Sequence, residues 1–187
     1  MENYKLDYTF PRLYECDLLT ETVDHMMPHF YFPGATTEGG SDGVLVKVHP
    51  RSGGAWLGTF AFGEYSQRGM SGLFSTPDPE RFCVVAGGAG YLVTASDPKL
   101  HENLEIKPIT DIRPILARNL IVFADFTQLL AYGPHGREWK SDRIAWDGLQ
   151  ICKITDSAIC GEFWDVAKDM NAHFVVNLSD GMKKSRD

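Results

Sequence analysis

Three short constellations and one scattered set of acids in this sequence carry residue types that chemistry needs. Gly39-Gly40-Ser41-Asp42-Gly43 has the letters of a hydrolase nucleophile elbow. Such an elbow needs a buried strand before the serine and a helix after it. Here polar Thr36, Thr37 and Glu38 precede and the strand-like run 44–48 follows, which predicts a loop. Gly87-Gly88-Ala89-Gly90 has the glycine content of a phosphate cradle, but Tyr91-Leu92-Val93-Thr94 follows in place of a helix N-terminus that would hold the anion. The expectation is a hairpin turn. His25-Met26-Met27-Pro28-His29 offers imidazoles and thioethers suited to a soft metal such as Cu(I). Methionine at helical spacing is more often core filler, so His25 and His29 are expected not to converge on an ion.

Glu64, Asp78, Asp125 and Asp147 stand near turns beside aromatic residues, as paired carboxylates for glycoside chemistry would. With 25 acidic residues in 187, such placements arise without function, and these four read as solvated loop acids. Trp56, Phe60, Phe62, Trp139, Trp146 and Trp164 read as core aromatics. No residue is therefore assigned as catalytic, cofactor-binding or metal-ligating. The four cysteines, Cys16, Cys83, Cys152 and Cys160, have no zinc-site spacing and read as reduced thiols. A three-residue loop, Thr155-Asp156-Ser157, would place Cys152 opposite Cys160 across a hairpin, within reach of a disulfide.

The elements that position these residues read as strands. From residue 44 onward, apolar runs of five to eight residues alternate with Gly, Pro, Asp and Ser clusters, the spacing of an all-β domain. Strands are predicted at 44–48, 56–62, 82–86, 91–95, 120–124, 128–132, 137–140, 149–154, 158–164 and 172–178. In the last of them Phe174, Val176 and Leu178 share one face and His173, Val175 and Asn177 the other. Before residue 44, Leu13, Cys16, Leu19 or Thr20, Val23 and Met26 or Met27 recur every three to four residues, which predicts a short helix between Pro11 and Pro28. The fold class expected is mainly β, with antiparallel sheets in a sandwich or a partial propeller-like repeat. Its expected division is a partly helical N-terminal extension and loop over 1–43 and a β domain over 44–187.

Within that β domain, the segment from Cys83 to Ala95 lies over that from Leu120 to Tyr132 at an offset of 37 residues, strand on strand and turn on turn. The second copy, followed by Gly136 and Trp139, resembles a repeat of a quinoprotein-type β-propeller, where a hairpin, a glycine and a tryptophan recur. Together with the stretches from Trp56 to Gly63 and from Leu73 to Pro77, it is also similar to a group of small bacterial β proteins of unknown function. The similarity spans about residues 40–180 and implies no activity. Two hairpins do not make a ring, which takes at least about four blades, so a sandwich or a pair of packed sheets is expected.

Charge narrows the partners. Eighteen Lys and Arg against 25 Asp and Glu give −7, which disfavours the counterion-releasing surface that duplex nucleic acid requires. The one dense basic run, Lys183, Lys184 and Arg186, reads as a frayed tail. The charged N-terminus has no signal-peptide core, and the longest uncharged stretch, Phe82 to Ser96, is shorter than a membrane span of about 18–20 residues. A cytoplasmic location, no membrane and no cofactor are expected. The leading expectation is a non-catalytic bacterial protein that binds another protein, of the immunity type that neutralises a toxin. Its rival is an enzyme acting on a carbohydrate or small polar molecule through loop carboxylates, which requires a concave site with at least two of them.

Overall fold

The computed structural model describes residues 4–20, 26–64 and 68–184. The protein is mainly β, and its contacts divide it into two compact units, residues 1–108 and 109–187. In the first unit, β1 (Lys5–Asp7), β2 (Tyr14–Leu19), β3 (His29–Phe32), β4 (Gly43–Pro50), β5 (Trp56–Ala61), β6 (Gly72–Ser75), β7 (Arg81–Ala86), β8 (Ala89–Thr94) and β9 (Asp97–Asn103) form two sheets, ordered β2-β4-β5-β3 and β1-β6-β7-β8-β9. In the second, β10 (Asp111–Ile115), β11 (Leu120–Ala124), β12 (Leu129–Gly133) and β13 (Gly136–Lys140) form one antiparallel meander. There β14 (Gln150–Ile154), β15 (Ala158–Asp165) and β16 (Met170–Asn177) form another.

The N-terminal helix expected between Pro11 and Pro28 is absent from its described residues. Tyr14–Leu19 is instead β2, antiparallel to β4. Tyr14 and Cys16 are buried and Leu18 is half-buried, while Glu15 is exposed. That is a period of two, and Leu13, counted toward the helix, is exposed. Val23 and His25 lie outside the described residues. Residues before 44 are not an appendage, because β2 and β3 flank β4 and β5 in one sheet. The expected boundary after residue 43 therefore falls inside a strand, β4, and the observed division comes after Pro108.

In the first unit the two sheets pack Val44, Val46, Val48, Trp56 and Phe60 against Phe82, Val84, Tyr91 and Val93. Three side chains also hydrogen-bond across this core, Tyr91 and Tyr14 to strands of the other sheet and Trp56 to the turn between β8 and β9, so their polar ends are satisfied. Trp56 Nε1 donates to Ala95 O at 2.8 Å, Tyr91 Oη to Ala61 O at 2.8 Å and Tyr14 Oη to Arg81 O at 3.0 Å. Burial pushes the Cys16 and Cys83 thiols up, which leaves them poor nucleophiles. In the second unit Val122, Leu129, Ile151, Ile159, Phe174 and Val176 make the core, closed by Trp139 Nε1 donating to Leu178 O at 2.9 Å.

The strand registers recur at an offset of 39 residues, where the sequence alignment has 37. Gly72↔Val85 in the β6–β7 pair corresponds to Asp111↔Ala124 in β10–β11, each partner 39 residues on. Arg81↔Thr94 in β7–β8 likewise falls 39 residues before Leu120 and Gly133, strand start and strand end in the second meander. A third sheet opens at the same interval with Gln150, and its Ile154↔Ile159 pair lies 39 residues after Ile115↔Leu120. The sequence alignment slid because the turns differ. Ala86↔Ala89 closes over Gly87 and Gly88, both at positive φ as a type I′ hairpin demands, whereas Ala124↔Leu129 spans four residues. Since side chains alternate with period two, an error of two residues leaves every side chain on its correct face.

The β14–β15 pair carries a bulge between Ile151 and Lys153, so Cys152 is the extra residue and Cys160 pairs with Lys153. The two cysteines are therefore not directly opposite, and both are free thiols. Gly161 lies where this bulge crowds the neighbouring strand: a Cβ there would sit 2.0 Å from Gln150 O and 2.5 Å from the Phe174 ring. Gly161→Ala is expected to cost about 1–3 kcal/mol by overpacking. Because the nearest clash is with backbone, shortening Phe174 to leucine in the same chain is not expected to restore the denaturation midpoint. An unchanged midpoint in the single variant would mean that β14 yields freely.

Candidate functional site

Of the residues singled out in the sequence, Glu64 and the glycine turn at Gly87 and Gly88 line one cleft, and neither Ser41 nor His29 is among its lining residues. Gly39 to Asp42 is exposed loop and Gly43 opens β4, so no serine elbow forms. His29 stacks on Tyr31 with ring centroids 4.3 Å apart, and its Nε2 lies 2.8 Å from Thr59 Oγ1. Burial lowers its pKa. Met26 is 92% exposed and so fills no core. Among the described residues no three His, Cys, Asp or Glu side chains converge as metal ligands would.

The acids go to separate turns. Asp78 Oδ1 accepts from Glu80 N, and Asp147 Oδ1 from Gly148 N. Asp125, read from sequence as a solvated loop acid, is buried. It accepts from Thr127 N at 2.6 Å, Thr127 Oγ1 at 3.0 Å, Gln128 N at 2.8 Å and Gln128 Nε2 at 3.3 Å. Its charge is consumed in tying the β11–β12 turn. Glu64 stands at the rim of a cleft of about 300 Å³ floored by Gly63, Gly87 and Gly88 and walled by Phe62 and Tyr91. The glycines are there because strands and loops meet backbone to backbone, Gly63 N donating to Ala86 O and Gly88 N to Met70 O. A smaller cleft beside Leu13 and Arg51 holds Glu80, and a groove in the second unit holds Asp165. None of these three brings two carboxylates together.

What the sequence reading placed in the core and the structure exposes is aromatic. Trp56, Phe60 and Trp139 are buried, but Trp146 is 71% exposed, Trp164 46% and Phe62 37%. Trp164 belongs to the β15–β16 hairpin, whose pairing runs unbroken from Ala158↔Asn177 to Asp165↔Met170. The base of this hairpin is anchored by Ile159, Phe174 and Val176 in the core. Its far end carries Trp164, Val166 at 67% exposure and Met170 at 55%. The turn is held by Asp165, whose Oδ1 accepts from Ala167 N and whose Oδ2 lies 3.3 Å from Lys168 Nζ. Partial desolvation pushes the Asp165 carboxyl up, and the Lys168 ammonium with the Ala167 and Lys168 amides outweighs it, leaving the pKa low. The loop bearing Trp146 reaches the same hairpin, since a Cβ on Gly148 would stand 3.9 Å from Trp164 N. Arg143 stacks over the Trp146 ring at 4.4 Å.

The signal for Trp164 was present in the alternation. It shares strand parity with Cys160 and Glu162, opposite to Ile159, and so points away from the core. The basic segment was also misread at Lys183 and Lys184. Gly181, at a φ of 72°, turns the chain back, Val176 bridges to Lys183, and Lys184 N donates to Val175 O at 2.8 Å. Arg186 lies outside the described residues. Among the described residues no helix is long and apolar enough to cross a membrane. No protein-family model and no curated protein matches this chain.

Proposed function

We propose that this chain is a non-catalytic binding protein whose partner is another protein, docked on the far end of the β15–β16 hairpin. The observation that carries this reading is the exposed group Trp164, Val166 and Met170 at the end of a fully paired, core-anchored hairpin. A large apolar side chain gains about 1.5–3 kcal/mol on leaving water. Tryptophan on a rigid support loses little conformational freedom on binding, which is why it is enriched among the residues that dominate interfaces. An immunity-type protein, which neutralises a toxin by covering it, belongs to this class, and a cytoplasmic setting suits its free thiols. The enzymatic rival has no such support, since the three clefts described each hold a single carboxylate.

The test is capture from host lysate by the full chain, compared with Trp164→Ser/Met170→Ser and with a control, Leu100→Ser, at an exposed position of the first unit. The hairpin variant is expected to melt like the parent, exposed substitutions lying within about 0.5 kcal/mol. Its affinity for the captured protein is expected to fall by roughly thirtyfold or more, the loss typical of an interface hot spot. The control is expected to retain binding. Capture of nothing by the parent, or equal binding by the hairpin variant, would overturn the proposal.

A further inference from the structure

The same hairpin carries a groove whose charge is opposite to that of the whole chain. Eight Lys and Arg against 14 Asp and Glu give the first unit −6, whereas ten against 11 leave the second at −1. Within the second unit, a groove of about 590 Å³ beside β16 is lined by Lys168, His173, Lys183 and Lys184 together with Phe163 and a single acid, Asp165. That acid is already engaged by Lys168. Lys183 Nζ lies 5.6 Å from the centre of the Phe163 ring, so its ammonium rests on an apolar surface. Glu162 pairs across the sheet with His173 and is the facing acid of β15.

The backbone along this groove is equally distinctive. β16 is the last strand of its sheet, and on its outer side the described pairing is the Val176–Lys183 bridge, made by Asn177 N donating to Met182 O and Lys184 N donating to Val175 O. An edge strand presents amide and carbonyl groups that an extended segment can pair with, and side chains beside the edge then select what that segment carries.

We propose that the groove receives an acidic, extended segment of the partner protein, which adds to the edge of β16 beyond Val175 and places its carboxylates against Lys183 and Lys184. The inference rests on the hairpin being the docking surface, and it names the chemistry of what docks there. The total charge of −7 favours a basic partner at long range; the local field at the contact selects an acidic strand.

The probe is a labelled peptide of alternating glutamate and valine, as long as the eight residues of β16. A lysine–valine peptide and a glutamate–valine peptide interrupted by proline serve as controls. The first is expected to bind the full chain, more weakly as salt rises, and neither control is expected to bind. Lys183→Glu/Lys184→Glu is expected to weaken peptide binding at least roughly tenfold through lost charge-assisted contacts, while Trp164→Ser/Met170→Ser leaves peptide binding in place and lowers partner capture. Equal binding of the proline-interrupted peptide, or full displacement by inorganic phosphate, would overturn strand addition in favour of a simple anion site. Sedimentation as a concentration-dependent dimer lost in the lysine variant would overturn it in favour of a second copy of this chain. If the peptide fails while the Trp164 variant still loses its partner, the acidic segment is refuted and the docking surface stands.

Discussion

Phe60→Ala is expected to destabilise the first unit by about 3–5 kcal/mol, the range for deleting a fully buried aromatic ring. Phe60 has no solvent exposure, and its ring stacks on Phe32 at 4.4 Å with an interplanar angle of 11°. It meets Tyr91 at 5.5 Å and Phe82 edge-on at 6.2 Å. Those partners come from β3, β8 and β7, so one ring joins both sheets of the unit. Its loss leaves a void lined by three rigid rings that cannot collapse inward as aliphatic chains do. The check is a denaturant titration followed by the fluorescence of Trp56, whose ring lies 6.0 Å from Phe82 in the same core. A loss under about 1 kcal/mol would show that the sheets repack around the gap.

Leu92→Ala and Leu129→Ala are each expected to cost about 2–5 kcal/mol, by lost transfer energy and an unfilled cavity. Both leucines are buried, at 2% and 0% exposure. At an offset of 39 they fall on corresponding faces of their sheets, two residues apart, since Leu92 matches Ala131 and Leu129 matches Gly90. Leu129 packs with Ile151 and Phe174 in the core of the second unit, and Leu92 belongs to the first unit. Thermal or denaturant melts check both losses. A strong effect at one leucine and none at the other would mean that the two meanders do not use the matched face alike.

Much of the strand content was legible. Each of the ten predicted strands lies within two residues of an observed one at both ends, because each combines β-branched or aromatic residues with flanking Gly, Pro or Asp. In 82–86 and 120–124 the apolar residues are continuous rather than alternating, and nearly every side chain there is buried on both faces of its sheet. Six observed strands, β1, β2, β3, β6, β9 and β10, escaped notice, and three of them depend on their partners for what they lack. β9, Asp97–Asn103, is polar and charged, and β10 contains Pro114; both are edge strands, where one unpaired side tolerates charge and proline. β1 has three residues and exists through its parallel pairing to β6.

The candidate site divides in the same way. Composition showed acidity, and pattern showed a hairpin turn at Thr155-Asp156-Ser157 and a strand over 172–178 with one apolar face, because these depend on residue identity and local spacing. Three things required the folded chain. Asp125 is a buried turn acceptor rather than a solvated acid because the amides of Thr127 and Gln128 happen to converge on it. Lys183 and Lys184 run along β16 because Gly181 turns them back onto an edge strand. Trp139 is core and Trp164 surface although both are tryptophans in strands, because Trp139 finds a covering layer that ends at Leu178 O, whereas Trp164 stands at the end of a hairpin that outruns its core. A side chain's type sets what it gains by leaving water; whether anything covers it depends on contacts between segments far apart in the chain, which local spacing does not encode.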